Sequence, residues 1–180
     1  MKKLFMVAVG VIMSLALVGC TATEEVAESP NKDIELQTVV DNIKNAYGTM
    51  YYPNMVVEGE MIEEFYGLTE DMYDEVFIEI PMISGQSDIL MAIKVADGQQ
   101  EAVLELVTNY RDTLVNDMLQ YPSNQLKLQA SKVIEYDGFI FLVSLGEIPM
   151  EVEEEGEEAV IAKAAEMNAI AEEAIAAILE

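Results

Sequence analysis

The chain holds one cysteine, Cys20, no histidine and no tryptophan, set against 34 aspartates and glutamates and eight tyrosines. Those residue types bound the chemistry available. A cysteine nucleophile needs a base beside it, and the missing histidine removes the commonest base and the commonest transition-metal ligand. Paired carboxylates can hydrolyse glycosides, but among 34 acids pairs are unavoidable and single out no residue. Acidic oxygens suit calcium, and Thr69–Glu75 and Glu151–Glu158 are the acidic runs that could supply them. Neither has the D-x-D-x-D-G spacing that wraps an ion, so both read as solvated surface. Ser29-Pro30-Asn31-Lys32 spells S-x-x-K without the S-D-N or K-T-G that would give it meaning. No G-x-S-x-G, P-loop or G-x-G-x-x-G is present. The sequence therefore assigns no catalytic residue, no metal ligand and no cofactor.

Tyrosine is the remaining candidate. Tyr47, Tyr51, Tyr52, Tyr66 and Tyr73, with Phe65, fall within 27 residues. A phenol offers an apolar face and a hydroxyl, which suits sugars and peptides. Tyr51, Tyr52, Tyr66 and Tyr73 are the candidate binding surface; the alternative is that these rings pack the first helices onto the fold. Tyr52-Pro53-Asn54 and Tyr121-Pro122-Ser123-Asn124 also resemble each other.

Charge narrows the partners. Nine basic residues against 34 acidic give a net of −25. Such a polyanion does not neutralise phosphates, which excludes nucleic acid, and an anionic membrane surface repels it, so any attachment must be hydrophobic. A surface protein, a peptide or a glycan is the expected partner.

The N-terminus supplies that attachment. Lys2 and Lys3 precede an apolar run, Leu4 to Val18, that is short of the roughly 20 residues a spanning helix needs. The run ends in Leu17-Val18-Gly19-Cys20. These four residues resemble the lipobox of bacterial lipoproteins, in which the cysteine thiol receives diacylglycerol and a peptidase cuts just before it. The resemblance implies a signal peptide over residues 1–19 and a lipid on Cys20, with a plain signal peptide or an uncleaved anchor as alternatives. Two acyl chains, at roughly 0.8 kcal/mol per buried CH₂, hold a protein stably. Cleavage would leave seven basic residues and a net of −27. Residues 20–31 then read as an acidic flexible tether, and residues 32–180 as one domain.

The elements that must position any site follow from periodicity. Leu36, Val39, Val40, Ile43 and Tyr47 share one helical face, closed by Gly48. A short helix is expected near Met61 to Tyr66. Alternation predicts a strand with Val76, Ile78, Ile80 and Met82 on one face, and a second with Ile89, Met91, Ile93 and Val95, joined by a turn at Ser84 to Ser87. Pro81 lacks a donor, which places the first strand at an edge or a bulge. Val103, Val107, Tyr110, Leu114 and Met118 predict a long helix, and Ser123 caps a short one. Asp137-Gly138 signals a type I′ hairpin whose second strand turns Phe139, Phe141, Val143 and Leu145 to one side. Ala159 to Leu179 predicts a closing helix with a stripe of Val160, Ala164, Met167, Ala171, Ala174 and Ile178. The expected fold is α+β: one domain, a four-stranded, mainly antiparallel sheet from two hairpins in ββα-ββα order, with helices on one face.

Several phrases carry a wider likeness: "VVDNIKNAYG" followed by "YYPN", then "EIPMIS", "YRDTLVNDMLQYP" and "YDGFIFLVSLGEIP". In this order they resemble the DUF4358 family of lipoproteins, across about Asp33 to Ala176. The resemblance implies a single domain at the surface of a Gram-positive bacterium, and brings no activity, cofactor or catalytic residue with it. The expected function is non-enzymatic binding by a lipid-anchored extracytoplasmic domain. The rival readings are a small carboxylate-dependent hydrolase and a weak calcium-binding surface protein.

Overall fold

The computed structural model describes residues 31, 33–83, 85–117 and 120–180. The lipobox residues Leu17, Val18, Gly19 and Cys20, the tether short of Asn31, and Met118 lie outside the described residues.

The first helix, α1 (Leu36–Tyr47), buries the five residues its periodicity marks, and Gly48 closes it at a φ of +54°. Burying each such side chain contributes roughly 1.5–3 kcal/mol before the entropy of ordering it. A two-residue strand, β1 (Met55–Val56), and a short helix, α2 (Glu60–Tyr66), follow. Then come β2 (Tyr73–Ile80), β3 (Ile89–Val95) and the long helix α3 (Gln100–Asn116). The chain continues through α4 (Pro122–Gln129), the hairpin β4 (Lys132–Tyr136) and β5 (Phe139–Ser144), and the helices α5 (Met150–Glu155) and α6 (Glu157–Leu179). The charge run from Glu151 to Glu158 is thus helical on either side of Gly156.

The sheet corrects the expectation of four strands: among the described residues it has five, all antiparallel, in the order β1-β2-β3-β5-β4. Two exposed residues give no alternation, so β1 leaves no periodic signal. Backbone bonds make it instead, with the Asn54 N–H donating to the Ile80 carbonyl at 3.1 Å and the Val57 N–H to that of Ile78 at 2.9 Å. β1 therefore pairs with the end of β2 nearest Pro81, from Ile78 to Ile80, so the strand is not at the sheet edge there, and Pro81 lies one residue beyond the strand's end. The Met82 N–H is held by Asn54 Oδ1 at 2.8 Å, and the Met82 side chain is 70% exposed rather than core. The link between β2 and β3 consequently runs from residue 81 to 88, longer than a four-residue turn.

Helices cover both faces, not one. On one face α1 and α6 pack on Leu90, Ala92, Phe139, Phe141 and Val143. On the other, α2 and α3 pack on Ile78, Met91, Ile93, Ile140 and Leu142. The reason lies in the central strands. The expected faces are correct, but the alternate residues are also apolar, so β3 and β5 must be buried on both sides. The Asp137-Gly138 turn also differs. A type I′ turn needs positive φ at both central residues. Gly138 has it, at +80°, and among the described residues no non-glycine does.

Helix α6 carries one polar residue into this core. Asn168 is fully buried, accepting the Leu145 N–H at 2.9 Å and donating to the Ala130 carbonyl at 2.8 Å. It ties α6 to the end of β5 and the end of α4.

Candidate functional site

The two central strands finish level with one another, Ile89 pairing with Ser144. Asp88 therefore stands immediately before β3, across from Leu145 and Gly146 just beyond β5. Helix α4 crosses this end. Pro122 suits its first turn, where a missing N–H costs nothing. Tyr121, not Ser123, occupies the N-cap position, and no side chain caps the helix.

Lys127 projects from α4 onto the strand ends. Its Nζ lies 2.8 Å from Asp88 Oδ2, with both side chains under one-tenth exposed. Nζ also donates to the Gly146 carbonyl at 2.6 Å, while the Gly146 N–H donates to Asp88 Oδ1 at 3.1 Å. Three segments distant in sequence close into one ring of bonds. Gly146 has a φ of +92°, and a Cβ there would meet the Cβ of Met167 at 2.9 Å. Only glycine fits both the backbone and the space.

Burial dominates the electrostatics of this pair. Desolvation pushes the Asp88 carboxyl up from its ordinary value, opposed by Lys127 and by the Gly146 N–H. Desolvation pulls the Lys127 ammonium down, opposed by Asp88. A buried pair of this kind fixes geometry more than it adds stability.

Above the pair opens a polar cleft of about 330 Å³. Tyr52, Gln86, Ser123, Asn124, Glu147 and Glu153 line its sides, with Asp88 and Lys127 at its base. The Tyr52 hydroxyl donates to Glu147 Oε2 at 2.8 Å, and Asn124 Nδ2 donates to the Gly85 carbonyl at 3.0 Å. A second cleft, of about 400 Å³ and mostly apolar, is lined by Met55, Ile80, Met82, Ile83, Tyr110 and Leu114. Gln86 and Asp88 line both clefts, so the link between β2 and β3 stands between them.

The candidate tyrosines disperse over this frame. Tyr52 is at the polar cleft. Tyr51 packs against the core shared by α1 and α6, donating to Glu79 Oε2 at 2.8 Å. Lys44 holds the same carboxylate at 2.6 Å and stacks over Tyr51 and Phe77. Tyr66 is 8% exposed and meets Tyr110 edge-on, ring centres 4.8 Å apart, in the opposite core. Tyr73 begins β2 beside that same core. The four do not form one surface. The two similar phrases noted in the sequence do converge, since Tyr52 and Ser123-Asn124 line one cleft.

Of the acidic runs, only Glu153 of Glu151–Glu158 reaches the polar cleft. Glu75 accepts the Leu36 N–H at 3.1 Å and Lys94 at 3.2 Å, and so serves the start of α1. Glu151–Glu158 falls in α5 and the start of α6. Among the described residues no group of three or more His, Cys, Asp or Glu is placed to hold a metal ion, and no helix is long and apolar enough to cross a membrane.

Sequence reasoning singled out Glu153 only as part of an acidic run and missed Gln86, Asp88, Lys127 and Glu147, because the group is contributed by separate segments. One signal was available: lysine is scarce here, and Lys127 lies between Leu126 and Leu128 in a short helix.

The family model described as "Domain of unknown function (DUF4358)" matches residues 47–145, more than half of the chain. That span contains Tyr52, Asp88 and Lys127 and stops one residue short of Gly146. No curated protein and no solved structure matches the chain.

Proposed function

The chain belongs to the DUF4358 family, and from that premise we propose a lipid-anchored extracytoplasmic protein that acts by binding rather than by turnover. Leu17-Val18-Gly19-Cys20 supports the anchor. Cys20→Ser tests it. Acylation and membrane association are both lost in that variant, and a variant that still carries lipid sinks the anchor.

The polar cleft carries the binding half. It is walled by side chains of mixed hydrogen-bonding capacity and based on a buried ion pair, and its volume of about 330 Å³ lies at the lower end of the range for small-ligand sites. The partner is an envelope component, either protein, peptide or glycan. A photo-crosslinking residue at Gln86, in intact cells, yields a product that the same residue at exposed Glu101 on α3 does not. Equal yields at the two positions remove the cleft from consideration.

One observation favours a second reading, a carboxylate-dependent hydrolase: Asp88, its pKa raised by burial, shares a cleft with Glu147 and Glu153. Against it, both Asp88 oxygens are already bonded, one to Lys127 and one to the Gly146 N–H. Binding without turnover is the better account of a carboxylate so occupied.

A further inference from the structure

The polar cleft has a bias in what its walls still offer. Several of its donors are engaged within the protein, while the Gln86 side-chain amide and the Ser123 hydroxyl remain open, so what sets the bias is charge. The Tyr52 hydroxyl is given to Glu147, Asn124 Nδ2 to the Gly85 carbonyl, and the Gly146 N–H to Asp88. Lys127 has given two of its three protons, one to Asp88 and one to the Gly146 carbonyl. Acceptors are left over. Asn124 keeps its side-chain oxygen, Glu147 keeps Oε1, and Glu153 lines the same space. Asp88 and Lys127 offset each other's charge, so the balance of the cleft is two carboxylates.

We propose that this cleft takes a small polar molecule carrying a primary ammonium group, with at least one oxygen for the remaining Lys127 proton or the Ser123 hydroxyl. An ammonium brings three donors and a positive charge to surplus acceptors. A metal ion does not fit as well, since among the described residues no three acidic side chains are close enough to coordinate one. A cleft of about 330 Å³ has room for a single sugar ring or a short peptide end. The shared chemistry is the ammonium; an amino sugar and a peptide amino terminus are its two sources. This inference rests on the cleft being the binding site.

The test titrates the full chain, purified in detergent, with matched pairs of probes: D-glucosamine against D-glucose, and alaninamide against N-acetylalaninamide. Binding is read from chemical-shift changes at the Asn124 side-chain amide. Each amine binds about two- to fivefold more tightly than its neutral partner, the effect of one partly solvated ion pair, and added salt narrows the gap. Glu153→Gln and Glu147→Gln each erase most of that preference at an unchanged melting temperature, because both residues are exposed. Tighter binding of glucosamine than of alaninamide assigns the ammonium to an amino sugar, and the reverse assigns it to a peptide end. Neutral probes binding as well as the amines, or no amine binding at all, overturns the proposal. If crosslinking at Gln86 succeeds while the amines fail, the ligand class is wrong and the cleft stands; if both fail, the cleft falls as well.

Discussion

The Lys127 ammonium stands 2.8 Å from the Asp88 carboxylate with both side chains almost fully out of water, and each also bonds the Gly146 backbone. Two charges and one peptide unit thereby lock α4, the start of β3 and the end of β5 in a single geometry, on which the polar cleft rests.

Removing one partner leaves a buried charge unmatched. Lys127→Met costs about 3–5 kcal/mol of unfolding free energy. Adding Asp88→Asn removes the orphaned charge and keeps an acceptor for the Gly146 N–H, which returns the double variant to within about 1–2 kcal/mol of the parent. Denaturant unfolding of both variants checks this. A single variant as stable as the parent would show that the pair is solvated.

Gly146→Ala strains the backbone at a φ of +92° and drives a Cβ onto Met167. The expected loss is about 2–4 kcal/mol. Met167→Ala does not restore it, because the nearest atom is the Met167 Cβ, at 2.9 Å, which alanine retains. Full recovery in the double variant would show that the outer side chain, and not the backbone, sets the cost.

Adjacent tyrosines respond differently to loss of the hydroxyl. Tyr51→Phe leaves the buried Glu79 carboxylate to Lys44 alone and costs about 1–2 kcal/mol. Tyr52→Phe, whose partner Glu147 is exposed, stays within about 0.5 kcal/mol of the parent. Thermal unfolding separates them, and equal effects would refute the assignment of Tyr51 to the core and Tyr52 to the cleft.

Alkaline pH unfolds the domain. Burial raises the phenol pKa of Tyr47, Tyr51 and Tyr110 above the ordinary 10.0, with Glu79 adding to the effect at Tyr51. The unfolded chain therefore loses these protons first. The stability they contribute is complete below pH 10.0 and declines as pH rises past it. Phenolate absorbance should appear for these rings only as circular dichroism reports unfolding. Ionisation within a folded domain would contradict their burial.

Much of the fold was legible because helices and strands write their burial into local periodicity. α1 buries the five residues its spacing marks, and β3 and β5 present the expected faces. The second apolar face of each was equally visible, in "ILMAI" and "FIFLV", where an unbroken apolar run indicates a strand covered on both sides. β1 was not legible, being two residues made by pairing rather than by pattern.

By itself the sequence determined the helical faces, the central strands, the absence of histidine chemistry and the acidic charge, since each is a property of one segment or of the sum. The tertiary structure alone decided the site. Asp88, Lys127 and Gly146 lie far apart in the chain, and the leucines beside Lys127 hint at its burial without naming its partner. They meet because the antiparallel register brings the ends of β3 and β5 level and α4 crosses them. The same geometry sent Tyr51 inward and Tyr52 to the cleft, a division between neighbours that spacing alone does not make.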